Sequence, residues 1–212
     1  MSNTPLRGLY AITPDAPLPT STLVEQVGAA IAGGARVIQY RDKTHGRDER
    51  CQRAAALLTI CRASGVPLII NDDLELAVEL GADGVHLGRD DPDPRAARER
   101  LGETAIIGVS CYDQLALAEA AEAAGAGYVA FGSFFPSTTK PKAVRPDPGL
   151  LTEARRRVAL PLVAIGGITP HNGGSLIAAG ADMLAVVTGV FAQPDITAAA
   201  RAYTNLFPKE TH

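Results

Sequence analysis

The most constraining feature of this chain is the alternation of eight short apolar runs with longer segments of helical periodicity. Each run is almost continuously apolar, which is typical of parallel strands that are buried on both faces. The segments between the runs repeat apolar residues at the spacing of one helix face. The predicted strands are Gly8–Thr13, Val37–Tyr40, Leu68–Asn71, Gly84–Leu87, Ile106–Val109, Tyr128–Phe131, Leu162–Ile165 and Met183–Val187.

Eight strand–helix units favour a parallel sheet that closes on itself, because an open sheet would leave two exposed edges. The 212 residues divide into about 26 per unit, which is compact but workable for a (β/α)8 barrel. No composition break suggests a second domain. We therefore predict an α/β protein in which residues 1–212 form a single (β/α)8 TIM barrel.

Turn and capping residues mark where the predicted helices begin and end. Thr22 and Glu25 have the spacing of a capping box, and Asp195 is placed to start the final helix. A glycine directly after a helix adopts the positive φ that other residues disfavour. The glycines predicted to end helices in this way are Gly34, Gly65, Gly81, Gly125 and Gly180.

Composition excludes several classes of function. The net charge is −3, which does not support nucleic-acid binding through a broad basic face. No apolar stretch is long enough for a transmembrane helix, and the first residues lack a secretory pattern, so we expect a cytoplasmic protein without a membrane partner. Three cysteines without CxxC spacing predict isolated thiols, not a disulfide framework or a zinc site.

Polar side chains collect where the predicted strands end, which is where parallel barrels build their sites. Gln39, Arg41 and Lys43 follow one another at the period of two that places side chains on one side of a strand. If they face the barrel axis, they present an amide and two cations to the mouth of the barrel, which is the end where the strands finish. The alternative is a solvated charged turn.

Acidic side chains follow the next two strands. Asn71 and Asp72 end the third strand, and Asp91 follows the fourth. Two carboxylates together with a substrate phosphate are a usual way to hold Mg²⁺. Each aspartate taken alone could instead cap a helix.

Phosphate-binding patterns follow the later strands. The loop containing Ser137, Thr139 and Lys140 offers hydroxyl groups and a cation, while Gly167 and Thr188 lie where backbone N–H groups could approach a second phosphate. His86 lies inside an apolar run and is interpreted as a core or supporting histidine. No pair of nucleophile and base stands out.

Taken together, these segments resemble the thiamine-phosphate synthase family across nearly the whole chain. The motifs occur in the family's order, which makes the set far more specific than any one member. They are Gln39-Tyr40-Arg41-Asp42-Lys43, Asn71-Asp72, Gly84-Val85-His86-Leu87-Gly88 with Asp91, Gly108-Val109-Ser110, Pro136-Ser137-Thr138-Thr139-Lys140, Gly166-Gly167-Ile168 and Val186-Val187-Thr188.

The resemblance implies the joining of 4-amino-5-hydroxymethyl-2-methylpyrimidine pyrophosphate to 4-methyl-5-(2-phosphoethyl)thiazole, with release of pyrophosphate. It implies Mg²⁺ as the cofactor, held by Asp72 and Asp91. The residues implied to bind the pyrimidine pyrophosphate are Gln39, Arg41, Lys43, Asn71, Ser110 and Lys140, among which Arg41, Lys43, Ser110 and Lys140 are the implied catalytic residues. The residues implied for the thiazole phosphate are Ser137, Thr139, Gly167, Val187 and Thr188.

Three positions depart from the family's usual pattern. Ser137 stands where threonine is common and retains the hydroxyl, and Thr188 stands where serine is common and retains its backbone N–H. Arg89 replaces a common glutamine, and it either joins the pyrophosphate site or faces solvent; solvent is the favoured alternative.

Two other functions remain open from the sequence. One is a related barrel that isomerises a thiazole phosphate, which would need the phosphate site but not the full set of metal and pyrophosphate ligands. The other is a non-catalytic module that binds thiamine phosphate. The expected partners are small-molecule substrates, and a homo-oligomer stays open.

Overall fold

The computed structural model describes residues 6–136 and 146–208, and its eight parallel strands form one closed barrel. Each strand pairs with its sequence neighbours, and the last strand pairs with the first, which sets Gly8 opposite Met183. This closure confirms the predicted (β/α)8 barrel. The strands are β1 (Gly8–Ile12), β2 (Ala35–Tyr40), β3 (Leu68–Asn71), β4 (Gly84–Leu87), β5 (Ile106–Tyr112), β6 (Tyr128–Gly132), β7 (Leu162–Ile165) and β8 (Met183–Val186).

Helices alternate with the strands and cover the outside of the barrel. In the first helix, Leu23, Val27 and Ala30 are buried at the i, i+4, i+7 spacing of a core-facing stripe. The helices are α1 (Thr20–Ala32), α2 (Arg47–Ala63), α3 (Leu74–Leu80), α4 (Pro94–Leu101), α5 (Leu115–Ala123), α6 (Gly149–Arg157), α7 (Gly173–Ala178), α8 (Thr188–Phe191) and α9 (Ile196–Thr204).

Alternate residues of each strand fill the barrel interior. Tyr10, Tyr128 and Val163 belong to one inner cluster, and the rings of the two tyrosines meet edge to face with centroids 5.7 Å apart. Their strand neighbours, such as Leu9 and Val129, point outward into the larger cluster under the helices. The interior is therefore a packed core that supports the mouth above it.

The glycines that precede the strands confirm the predicted helix ends. Gly34, Gly65, Gly81, Gly125 and Gly180 all have positive φ. In three units an arginine of the preceding helix donates to the carbonyl oxygen of such a glycine, at 2.8–2.9 Å: Arg62 to Gly81, Arg98 to Gly125 and Arg155 to Gly180. These contacts tie consecutive units together at the end of the barrel opposite the mouth.

Two local predictions are wrong, and a third is confirmed. The first helix does not begin at a capping box, because the Leu23 N–H already donates to the Pro19 carbonyl and no side chain caps the helix. Strand β5 continues beyond Val109, because a bulge between Ser110 and Tyr112 shifts its register against β6. Asp195 does cap α9, with its carboxylate accepting from Ala198 N–H at 2.8 Å.

Other predictions concern the thiols and the membrane. All three cysteines are free thiols, which confirms the expectation of isolated cysteines. Burial raises the pKa of both Cys61 and Cys111 to about 12. Within residues 6–136 and 146–208, no helix combines the length and the apolarity needed to cross a membrane.

Candidate active site

Three of the predicted site residues come together because the strands share one register at the mouth. Asn71 lies opposite His86 across β3 and β4, and Ser110 lies opposite Ala130 across β5 and β6. Gln39 stands near the end of β2 and is 3% exposed. Parallel strands that end at one edge therefore bring the amides and the hydroxyl to the top of the packed interior.

Arg41 and Lys43 follow β2 on a segment that is attached to the end of β1. The Arg41 N–H donates to Thr13 Oγ1 at 2.9 Å, and the Arg41 guanidinium pairs with Asp15 at 2.8 Å. Asp15 also accepts from the Lys43 N–H at 2.9 Å. The sequence did not predict Asp15, because Asp15 lies in a loop without a recognised motif and its partners are 26 and 28 residues further along the chain.

Asp42, between these two cations, is an anchor for the segment. Its carboxylate accepts from the Tyr40 hydroxyl at 2.8 Å and lies 3.3 Å from Arg53 Nε, and its side chain is 4% exposed. Burial alone would raise the pKa of Asp42, but the His45 N–H, the Tyr40 hydroxyl and the Thr44 N–H hold it well below its usual range. Asp42 is therefore ionised and fixes the backbone that carries Arg41 and Lys43.

Asp72 and Asp91 meet at the same side of the mouth, with their carboxyl groups within hydrogen-bonding reach of each other. Asp72 also pairs with Lys43 Nζ at 2.5 Å, and Asp91 accepts from the Gly88 N–H at 2.6 Å. Burial opposes the ionisation of Asp72, but Lys43 and Asp91 lower its pKa. Burial and the neighbouring Asp72 charge raise the pKa of Asp91, and the Gly88 N–H opposes them.

This pair is a donor set that suits Mg²⁺. Two adjacent carboxylates repel each other, and a divalent cation between them would relieve the repulsion. Among the described residues, no three His, Cys, Asp or Glu side chains form a metal-binding group. A cation bound by Asp72 and Asp91 would therefore depend on water or substrate oxygens for its other ligands, as Mg²⁺ commonly does.

The residues implied for the pyrimidine side also share hydrogen bonds below the mouth. Gln39 Nε2 donates to the Tyr10 hydroxyl at 2.8 Å, and that hydroxyl lies 2.7 Å from the Tyr128 hydroxyl. His86 then bridges Tyr128 Oη, 2.9 Å from Nδ1, and Ser110 Oγ, 2.8 Å from Nε2. We call these five side chains the interior network.

Arg89 lies beside the carboxylates but is held by an aromatic ring. The guanidinium carbon of Arg89 is 4.8 Å from the centroid of the Tyr112 ring, and the backbone N–H of Arg89 donates to the Tyr112 hydroxyl at 3.3 Å. A cavity of about 610 Å³ opens next to this pair, with Asp91 and Ser110 among its lining residues. The cavity extends from Asp91 along α5, where Leu117 and Ala120 line it.

The ends of β7 and β8 form the other side of the mouth and are built on backbone. Gly166 and Gly167 have φ of 103° and 60°. A Cβ on Gly167 would lie 2.8 Å from the Phe135 carbonyl carbon, so a side chain has no room there. Thr188 begins α8 and is exposed, with Val187 directly before it.

Tyr203 of α9 supports this glycine-rich side. Its hydroxyl donates to the Ile168 carbonyl at 3.0 Å, and a Cβ on Gly189 would collide with the same hydroxyl. We therefore distinguish a charged half of the mouth (Arg41, Lys43, Asp72 and Asp91) from a glycine half (Gly166, Gly167, Val187 and Thr188). The remaining predicted residues, Ser137, Thr139 and Lys140, lie outside the residues that the structure describes.

Comparison with known proteins shows which family this chain resembles. The family model "Thiamine monophosphate synthase" matches residues 9–190. Thiamine-phosphate synthase from Thiobacillus denitrificans is 54% identical over 203 residues and covers 96% of both sequences. The counterpart from Aromatoleum aromaticum is 53% identical over 207 residues, covering 98% of this chain and 99% of its own.

A solved structure is similar in fold as well. Thiamine phosphate pyrophosphorylase from Pyrococcus furiosus superposes with a TM-score of 0.83 at 32% identity, and the match covers 94% of each chain. The family match spans the barrel from β1 to α8. The chain therefore belongs to the thiamine monophosphate synthase family, and it is a transferase that forms thiamine phosphate.

Proposed function

We propose that the chain joins 4-amino-5-hydroxymethyl-2-methylpyrimidine pyrophosphate to 4-methyl-5-(2-phosphoethyl)thiazole, giving thiamine phosphate and pyrophosphate. The observation that carries this proposal is the division of one mouth into a charged half and a glycine half. The reaction needs two phosphate-bearing groups to be held at once, and only one of them departs. The two halves offer two different chemistries for those two groups.

The charged half suits the departing pyrophosphate. Lys43 and Arg41 are cations on one anchored segment, and the Asp72–Asp91 pair lies beside them. When bound there, Mg²⁺ would neutralise negative charge on the pyrophosphate oxygens. Ser110 adds a hydroxyl from the end of β5. Lys140, implied by the family resemblance, would supply a further cation.

The pyrimidine ring would lie against the amides at the top of the packed interior. Gln39 and Asn71 are the side chains whose amides can match a ring that carries both a donor amino group and acceptor nitrogens. Gln39 is buried and already holds Tyr10, so its amide is fixed before the substrate arrives. A fixed amide favours one orientation of the ring.

The glycine half suits the phosphate that stays on the thiazole. The absence of side chains at Gly166 and Gly167 lets backbone N–H groups approach an anion, and the N–H groups after Val187 face the same end of the barrel. Ser137 and Thr139, also assigned to this phosphate by the family resemblance, would add hydroxyl donors.

The chemistry requires charge stabilisation more than proton transfer. The bond between the pyrimidine methylene carbon and the pyrophosphate oxygen breaks, and its electron pair leaves with the pyrophosphate. The aminopyrimidine stabilises the resulting methylene cation, and the thiazole nitrogen forms the new C–N bond with its own lone pair. No residue has to act as a base, so the protein's tasks are to hold both substrates in line and to stabilise the growing negative charge.

The alternative functions fit the mouth less well. A thiazole-phosphate isomerase would use the glycine half and leave the charged half without a task. A binding module for thiamine phosphate would have no use for paired carboxylates. A cytoplasmic location stays a prediction.

The deciding experiment supplies the purified protein with both substrates and Mg²⁺ and follows thiamine phosphate by chromatography. We expect product only when all three are present. Product that forms at an unchanged rate with the metal fully chelated would contradict the Mg²⁺ assignment. No product with both substrates and Mg²⁺ would contradict the proposed reaction, and binding of thiamine phosphate would then favour the non-catalytic module.

A further inference from the structure

The interior network connects five strands beneath the mouth and ends at a site residue. It runs from Gln39 on β2 through Tyr10 on β1, Tyr128 on β6 and His86 on β4 to Ser110 on β5. Every link is 2.7–2.9 Å long. Bonds this short are well-formed hydrogen bonds, so each link needs one donor and one acceptor.

Burial fixes how many protons each hydroxyl of the network can donate. Gln39, Tyr10 and Tyr128 are 3%, 1% and 0% exposed. Burial also raises the pKa of both tyrosines well above the ordinary value, so each hydroxyl keeps its single proton. A buried hydroxyl with one proton can donate once, and the direction of one bond then decides the direction of the next.

Gln39 sets that direction, because its Nε2 can donate and cannot accept. Tyr10 accepts from Gln39 and has its own proton left for Tyr128. Tyr128 then has its proton left for His86 Nδ1. A neutral imidazole that accepts at Nδ1 carries its proton at Nε2, and in this structure Nε2 faces Ser110 Oγ.

Ser110 is the end of this sequence of donations. Its oxygen accepts from His86 Nε2–H, so its own proton is free to point toward the mouth. A hydroxyl held in this way offers a donor to an anionic oxygen. If Gln39 were turned so that its oxygen accepted from Tyr10, every bond would reverse, and Ser110 would donate to His86 instead.

We propose that the interior network holds neutral His86 in its Nε2–H tautomer and thereby presents Ser110 to the substrate as a hydrogen-bond donor. Tyr10, Tyr128 and His86 are positioning residues in this scheme, and they act through Ser110. The substrate group at Ser110 must then be an acceptor, which a pyrophosphate oxygen is. That last step rests on the proposed function, whereas the tautomer of His86 does not.

The first test measures the tautomer in the protein without substrate. Long-range ¹H–¹⁵N correlation spectra of the ¹⁵N-labelled protein at pH 8 report which ring nitrogen of each histidine carries the proton, and His86→Gln identifies the signals of His86. We expect the Nε2–H tautomer. A signal from the Nδ1–H tautomer would overturn the proposal.

The second test removes the group that sets the direction of the network. Gln39→Leu replaces the amide that donates to Tyr10 by an apolar side chain, so nothing then fixes the direction of the later bonds. We expect a mixture of the two His86 tautomers in this variant. An unchanged Nε2–H signal would show that Gln39 does not set the direction.

The tyrosine links have a matched control. Tyr128→Phe removes the donor to His86 Nδ1, and we expect a mixture of tautomers. Tyr203→Phe removes a hydroxyl that is equally buried but donates to the Ile168 carbonyl outside the network, and we expect the His86 signals to stay as they are. The same spectrum in both variants would overturn the proposal.

A double-mutant cycle, measured by steady-state kinetics, distinguishes a positioning role for Tyr128 from general structural support. We expect Tyr128→Phe to lower kcat about 5-fold with little change in KM, since one hydrogen bond is lost. In a Ser110→Ala background the same change should cost nothing more, because its effect passes through Ser110. Equal costs in both backgrounds would overturn the positioning role. An inactive wild-type protein would instead refute the proposed function and leave the tautomer measurements to decide this inference.

Discussion

The two halves of the mouth, which we propose as two phosphate sites, are built in opposite ways. The charged half presents ionised side chains, with Lys43 in contact with Asp72 and Arg41 in contact with Asp15. The glycine half presents backbone, and Gly167 has no room even for a methyl group. The charged half is proposed to hold the group whose charge changes during the reaction, whereas the glycine half is proposed to hold a phosphate whose charge stays constant.

This difference predicts different kinetic effects. Interactions that strengthen as the pyrophosphate departs lower the activation barrier and raise kcat. Interactions with the phosphate of the thiazole are the same before and during the reaction, so they affect KM. Variants in the charged half should therefore lower kcat, and variants in the glycine half should raise the KM for the thiazole phosphate.

The two halves also depend on different supports. Asp42 fixes the charged segment through ionic and hydrogen-bonded contacts with Tyr40, Arg53 and His45. The glycine half is fixed by close packing, with Tyr203 against Gly189 and Phe135 against Gly167. The first support is sensitive to pH, and the second is sensitive to the volume of a side chain.

Asp91→Asn should have the largest effect. The amide keeps the shape of the side chain but removes one of the two negative charges proposed to hold Mg²⁺. We expect kcat to fall about 10²- to 10³-fold, comparable to the loss of one group that stabilises transition-state charge. The Mg²⁺ concentration that gives half-maximal activity should rise, as measured by titration of the metal at saturating substrates.

Asp90→Asn is the matched control, because Asp90 is adjacent and exposed. It should leave both kcat and the metal titration as they are in the wild type. An Asp91→Asn variant with an unchanged metal titration would remove Asp91 from the metal site. The charged half would then differ from the glycine half only through its two cations, Arg41 and Lys43.

Asp42→Asn should mainly affect stability. Breaking a buried ion pair typically costs about 3 kcal/mol, which corresponds to a Tm lower by roughly 6–12 °C for a chain of this size. Asp48→Asn, on the exposed start of α2, should cost less than about 1 kcal/mol. Thermal unfolding followed by circular dichroism measures both.

The same variant tests the pH sensitivity of the charged half. The pKa of Asp42 is lowered in the folded protein, so its contribution to stability is complete above the unfolded pKa of about 3.9. The contribution is lost as the pH falls below that value, because the unfolded state then binds a proton that the folded state does not. The Tm difference between wild type and Asp42→Asn should therefore shrink between pH 7 and pH 3. A constant difference would mean that the Asp42 charge does not stabilise the segment.

The sequence predicted the fold better than it predicted the contacts that support the mouth. Apolar runs such as Leu162–Ile165 and turn glycines such as Gly81 depend on local physical preferences, and the structure has both as expected. The Tyr10–Tyr128 bond joins residues 118 positions apart, and only closure of the barrel brings them together. The sequence signal for this bond was that Tyr10 and Tyr128 each occupy an inward-facing position of a predicted strand.

The site residues show the same difference between what the sequence predicts and what it does not. The strand-end motifs placed Asp72 and Asp91 near each other because parallel strands end at one edge, and this needs no tertiary detail. The pairing of Arg41 with Asp15 depends on how the loop after β1 folds over. Asp15 is one acidic residue among 23 Asp and Glu, and nothing in its local sequence distinguishes it.

Gly167→Ala should test the glycine half. Alanine at a φ of 60° costs about 1–2 kcal/mol, and the added methyl group would push against Phe135. We expect the KM for the thiazole phosphate to rise about 10-fold while kcat stays within about 3-fold, because a uniform binding interaction is weakened. Steady-state kinetics with the thiazole phosphate as the varied substrate measures the two constants separately.

Gly174→Ala provides the control for this substitution. Gly174 lies in α7 with open space around the position of a Cβ, so the same added methyl group should leave both constants unchanged. A Gly167→Ala variant that loses kcat and keeps its KM would break the division between the two halves. The glycine half would then act on changing charge as well.

Arg89→Gln should have the smallest effect, because Arg89 lies at the edge of the charged half. The Arg89 guanidinium lies over the Tyr112 ring at 4.8 Å, which is a contact worth about 0.5–1 kcal/mol at an exposed site. We expect kcat/KM to change less than about 3-fold and the Tm to fall by roughly 1–4 °C. Tyr112→Leu should abolish this thermal effect of Arg89→Gln, since the ring is then absent in both proteins. A 10-fold rise in the KM for the pyrimidine pyrophosphate would instead place Arg89 among the cations that bind it, because losing a stacking contact alone does not weaken substrate binding.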